Sequence, residues 1–186
     1  MKRQIPLFFN LLILQLFFFT ADSNAFEHFF LQHLDNRNGL SNSAINYVFK
    51  DSDDLIWVAT WDGLNRYDGT SFHVFNYSKE LGSKSIGSNV IQHITEDKRG
   101  NIWINTIEGI SRYEKRSGKF YNYFYNQNQR GKISEQEYKL AVDKVGNIFC
   151  LTQKYNLLYY DLKADVFRPC YLPKRSAKFS KLAFDG

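Results

Sequence analysis

An aromatic residue returns every 46 positions in this chain: Trp57, Trp103 and Phe149. An aspartate stands six residues before each of them, at Asp51, Asp97 and Asp143. Gly100 and Gly146 fall between aspartate and aromatic, where the first unit carries Asp54. After the aromatic come Thr60, Thr106 and Thr152, then Gly63 and Gly109, then Leu64, Ile110 and Leu157. Tyr67, Tyr113 and Tyr160 follow, and each unit closes on a phenylalanine, Phe72, Phe120 or Phe167. So many matched positions at one period constrain the fold more than any bulk property does. A period near 46 residues lies in the range of β-propeller blades, each a small sheet that buries its faces only against neighbouring copies.

Each unit reads as four strands. In the first, residues 45–51 alternate up to a turn, and residues 55–60 are rich in β-branched and aromatic side chains. Asp62-Gly63 is a two-residue hairpin signal, because glycine tolerates a positive φ and aspartate comes close to doing so. Residues 64–68 and 71–77 supply the third and fourth strands. The second unit repeats this with Glu108-Gly109 at the hairpin, and the third is blurred there, with Tyr155-Asn156 and no glycine.

The expectation is an all-β chain forming an incomplete β-propeller over residues 26–186. Three four-stranded blades are expected at about 45–77, 91–125 and 138–171. The segment before the first blade, "HFFLQHLDNRNGLSNSAI", resembles "SFHVFNYSKELGSKSIGSNVI", which is a fourth strand with its connection to the next unit. Residues 29–34 therefore read as an orphan outer strand. "KLAFDG" at 181–186 matches "KLAVDK" at 139–144, so a fourth blade begins at about residue 181. Propellers close with at least four blades, so the chain reads as the front part of a longer protein.

The N-terminus reads as a secretory signal. Lys2 and Arg3 precede an apolar run from Ile5 to Thr20, and Ser23 and Ala25 are small residues placed for cleavage after Ala25. Residues 1–25 are thus a signal peptide, an uncleaved anchor being the alternative. Without them the net charge of +5 falls by one. No basic cluster interleaved with aromatics stands out, which argues against nucleic-acid contact. Two cysteines, Cys150 and Cys170, are too few for a disulfide framework. Their expected strands have a third between them, about 10 Å across, so they read as two small buried hydrophobes.

With these motifs in view, "GLSNSAINYVFKDSDDLIWVATWDGLNRYDGTSF", from Gly39 to Phe72, resembles the two-component regulator propeller repeats. Those repeats build the periplasmic region of hybrid two-component sensor histidine kinases. "GLSNSAI" is similar to the opening segment of that region, and "GNIWINTIEGISRYE" to its repeat. The likeness covers about residues 29–186, weakly in the third unit. It implies a periplasmic segment of an inner-membrane protein that senses glycan-derived oligosaccharides. It also implies partners: the rest of the chain's own propeller, C-terminal signalling domains and, at full length, a second copy in a homodimer. No catalysis and no cofactor are expected in these residues. The rivals are an exported propeller enzyme of quinoprotein or lyase type, and a truncated or self-assembling fragment.

No nucleophile elbow, phosphate loop or zinc motif is present in the sequence. The four histidines, His28, His33, His73 and His93, share no ligand-like spacing. The recurring aspartates, Asp185 included, read as turn residues bonding backbone amides. Trp57, Trp103 and Phe149 read as packing between sheets, and Thr60, Thr106 and Thr152 as strand-end residues. Packing does not dictate the residues that break the repeat, so they are better recognition candidates. Trp61 is one, with Ile107 and Gln153 at the matching positions. Arg66 and Arg112 recur in the third strand, with Asn65 beside Arg66, and these four are the candidate ligand-binding residues.

Overall fold

A computed structural model describes residues 31–123, 138–152 and 157–170. The chain divides into a unit spanning Met1–His33 and one spanning Leu34–Gly186, and every described strand belongs to the second. That unit holds three four-stranded antiparallel sheets. The first is β1 (Ile45–Lys50), β2 (Ile56–Thr60), β3 (Gly63–Tyr67) and β4 (Phe72–Phe75). The second is β5 (Ile91–Glu96), β6 (Asn101–Thr106), β7 (Ile110–Glu114) and β8 (Lys119–Tyr123). The third is β9 (Tyr138–Val142), β10 (Ile148–Thr152), β11 (Leu157–Asp161) and β12 (Val166–Pro169). Each sheet is a simple meander in which strands pair in chain order.

The middle blade shows why the sequence repeats. Every residue of β6 is buried, because both faces of its sheet are covered. Alternate side chains point to opposite faces of a strand. Ile102 and Ile104 accordingly join Trp57, Ala59 and Leu64 in a core between the first and second blades. Trp103 joins Tyr138, Leu140, Ile148 and Cys150 in a second core between the second and third. Trp57 and Trp103 are both fully buried. Each indole is thus the large side chain that one blade presents to the next. Trp57 stacks on Phe75 and meets Tyr113, and Trp103 stacks on Tyr123 and meets Tyr160.

The first strand of the first and second blades carries the same irregularity. Register shifts between Ile45 and Tyr47, and between Ile91 and His93, leaving Asn46 and Gln92 as the extra residues of a bulge. The freed Asn46 side chain donates to the Ile91 carbonyl across the blade interface at 2.6 Å.

The outer strand expected at 29–34 lies partly outside the described residues, and residues 31–34 carry no strand assignment. Two expectations need correction. Cys170 is only partly buried, because it follows the outer strand β12, whose residues are largely exposed; Cys150 is buried, and both thiols are free. Gly63 takes a φ of 119°, as its hairpin demands, but Gly109 adopts no positive φ. The two hairpins share the threonine hydroxyl bond to the glycine carbonyl, but the Gly63 amide donates to the Asn89 carbonyl and the Gly109 amide to Thr106 Oγ1. The signal segment at 1–25 and the fourth blade at about 181 lie outside the described residues. Among the described residues no helix is long and apolar enough to cross a membrane.

Candidate functional site

The first-to-second strand turn of every blade is built on its aspartate. Asp51 Oδ1 accepts from the amides of Asp53 and Leu55, Asp97 Oδ1 from Arg99 and Asn101, and Asp143 Oδ1 from Val145 and Asn147. The fourth turn position needs a left-handed backbone, which Asp54 takes at φ 65°, Gly100 at 78° and Gly146 at 93°. The second carboxylate oxygen reaches inward. Oδ2 of Asp51 accepts the Trp57 indole N–H, and Oδ2 of Asp97 that of Trp103. In the third blade the aromatic is Phe149, which has no N–H, and Asp143 Oδ2 accepts from the Asn147 side chain instead.

At the opposite end of the first blade, the β2–β3 hairpin carries Trp61. This residue is about half exposed, at 54 %. Thr60 Oγ1 donates to the Gly63 carbonyl, and Thr106 repeats this to Gly109. The hairpin is pinned to the following connection by Asn89, whose carbonyl accepts from the Gly63 amide and whose side chain donates to Asp62. A side chain at position 63 would collide with Asn76 Oδ1 at 2.3 Å, so only glycine fits there. Asn42, Ser43 and Asn36 sit on the preceding segment, which touches the hairpin through the Trp61 amide and the Ala44 carbonyl.

The other candidates do not converge on Trp61. Asn65 is fully buried and bonds the Ser41 amide and hydroxyl, so it ties the entering segment to β3. Arg66 pairs with Trp57 across the sheet, towards the far end of the blade, and lies 6.0 Å from the Trp57 and Phe75 rings. Arg112 is buried against Tyr121, 4.3 Å from the ring centroid, and bonds Asp165 of the third blade at 3.2 Å. Asp165 also accepts from the hydroxyls of Tyr123 and Tyr160. Burial first, and then this carboxylate, pushes Tyr160 up to about 12 and Tyr123 higher still.

The far end also holds a cleft of about 670 Å³ lined by residues of the first and second blades. On its wall Lys115 Nζ contacts three carboxylates: Asp53 at 2.5 Å, Glu96 at 2.7 Å and Asp51 at 3.3 Å. Burial works against the charge on Lys115, but the three carboxylates outweigh it and hold its pKa above the usual lysine value. Sequence reasoning passed over Lys115. The signal was available, since Gly69 and Leu162 stand at the matching positions and Lys115 breaks the repeat as Trp61 does. Among the described residues no group of three or more His, Cys, Asp or Glu could hold a metal ion.

Residues 39–62 and 85–108 match the family model of the two component regulator propeller. Those segments run through the first two strands of the first and second blades. The fold resembles a crystal structure of an extracellular domain assigned to a hybrid two component system from B. thetaiotaomicron. The two are 25% identical, with a TM-score of 0.61 over 74% of this chain and 19% of that one. A second such domain from the same organism is 24% identical, with a TM-score of 0.58 over 78% of this chain and 19% of that one. The chain thus spans about a fifth of the length of each. No curated protein matches it.

Proposed function

We propose that this chain is the front part of the sensory propeller of a hybrid two-component signalling protein. The region is exported, stands in the periplasm after signal cleavage and belongs to a protein of the inner membrane. It carries no catalysis. It recognises glycan-derived oligosaccharides and passes a rearrangement to C-terminal signalling domains, and the full protein works as a homodimer. The observation that carries this reading is the pair of two-component regulator propeller repeats at 39–62 and 85–108, laid on two consecutive blades.

Trp61 supports the ligand class. A large aromatic side chain left half in water offers a stacking surface of the kind that binds the apolar faces of sugar rings. Trp57 and Trp103 are fully buried, so among the three tryptophans Trp61 is the one a ligand can reach. Oligosaccharide digests of complex glycans, added to the complete exported region, are expected to shift its tryptophan emission. Trp61→Phe is expected to remove most of that shift with the fold intact. A shift of equal size in the variant would place recognition elsewhere, and no shift with any digest would contradict the ligand class.

A further inference from the structure

The cleft at the far end of the blades has a charge arrangement that packing does not account for. Five cations line it, Lys98, Arg99, Arg112, Lys115 and Arg116, against two carboxylates, Asp53 and Glu114. Lys115 is spent on Asp51, Asp53 and Glu96, and Glu114 accepts from the Ser117 hydroxyl. Lys98, Arg99 and Arg116 are exposed and make no side-chain ion pair or hydrogen bond among the described residues. Arg112 adds the second observation. It is buried and lines the cleft while packing on Tyr121 and Tyr160, and its Nε–H has no hydrogen-bond partner. A buried guanidinium donor left unsatisfied costs free energy that an acceptor would recover.

From this geometry we infer that the cleft is an oxyanion site, taking a carboxylate or sulfate group between the Lys98–Arg99 turn and Arg116. The site is separate from Trp61 and does not rest on the stacking reading. The turn that carries Lys98 and Arg99 is held rigid by Asp97, whose Oδ1 accepts from the Arg99 amide. The turn that carries Arg116 is closed by the Gly118 amide donating to the Glu114 carbonyl at 2.9 Å. Two fixed turns thus bring three unspent cations to the mouth of one cleft, and a planar guanidinium suits the paired oxygens of a carboxylate or sulfate. Asp53 and Glu114 also line the cleft, so the three unspent cations outnumber the carboxylates that face an entering anion.

The test is a calorimetric titration of the complete exported region with two probes, inorganic sulfate and trigalacturonate, at low and moderate salt. Binding of either probe is expected, weakening as salt rises. The Arg99→Gln/Arg116→Gln double variant is expected to weaken it about tenfold. Trp61→Phe is expected to leave it unchanged. Tighter binding of trigalacturonate than of sulfate assigns the site to a carboxylated glycan. Equal binding assigns it to a free oxyanion. Affinity unchanged in the double variant, or no binding of either probe, overturns the inference. Both variants are surface changes, and coincident urea midpoints confirm that the fold is kept.

Discussion

The Trp57 indole donates to Asp51 Oδ2 at 2.8 Å, and Trp103 repeats the bond to Asp97 at 2.9 Å. One carboxylate therefore does two things at once. Its first oxygen closes the turn, and its second fixes the orientation of the ring that the next blade packs against. Trp57→Phe keeps most of the apolar contact and removes the donor. A loss of about 2 kcal/mol is expected from the missing bond and the small void, read as a lower urea midpoint with an unchanged slope. No change in midpoint would show that the bond contributes nothing net.

Lys115 is the ionic link between the first and second blades. Lys115→Met is expected to cost about 3 kcal/mol at neutral pH, because it leaves a buried Asp51 beside Asp53 and Glu96 with their shared cation gone. The pH dependence follows from the direction of the shifts. Lys115 is held above its usual value, so its contribution is present below pH about 10.5 and is lost as pH rises through the folded value. Burial raises Asp51, but the Trp57 indole, the Leu55 and Asp53 amides and Lys115 outweigh it and leave it lowered. Its contribution is present above about pH 4 and is lost as pH falls through the folded value. Urea midpoints of wild type and variant should therefore converge in acid. A constant difference between pH 7 and pH 2 would contradict the linkage.

Arg66 lacks the partner that Arg112 has. Asp165, at φ 54°, supplies the carboxylate to Arg112, and the matching position in the second blade is Gly118, at φ 68°. A Cβ at position 118 meets only the Tyr113 hydroxyl, at 4.0 Å. Gly118→Asp is expected to pair with Arg66 and to be more stable than Gly118→Asn by about 0.5 kcal/mol, the scale of a partly exposed ion pair. The asparagine control shares the backbone cost of a left-handed position. Equal midpoints for the two variants would mean that Arg66 does not reach.

His93 gives a separate handle near neutrality. It lies against the Tyr47 ring, 4.2 Å between centroids, and burial holds its pKa below the usual value. The unfolded chain then binds the proton more readily, so stability is expected to fall as pH drops below about 6.5. His93→Phe should flatten that part of the profile. An unchanged slope between pH 7 and pH 5 would assign it to other groups.

The blades were legible because packing writes a period. Trp57, Trp103 and the turn aspartates are dictated by a geometry that each sheet must repeat to stack on the next, so they recur at fixed spacing. The double duty of the aspartates was not legible, since a six-residue spacing does not say which way a side chain points. The Asn65 position misled for a related reason. It lies beside Arg66 in sequence, yet alternation sends it to the other face, where Ser41 covers it. The Lys115 cluster joins residues 64, 62 and 19 positions apart in the chain, and no local pattern announces it. Gly109 shows the limit of alignment: the same letter at the same place in the repeat serves a different backbone.

The most direct measurement is autophosphorylation of the intact protein in inverted membrane vesicles loaded with oligosaccharide digests of complex glycans. A sensory propeller should change the rate when one digest is present, and Trp61→Ala should blunt that change while leaving the basal rate alone. A rate that no digest alters, or vesicles with no phosphotransfer at all, would contradict a role in ligand sensing.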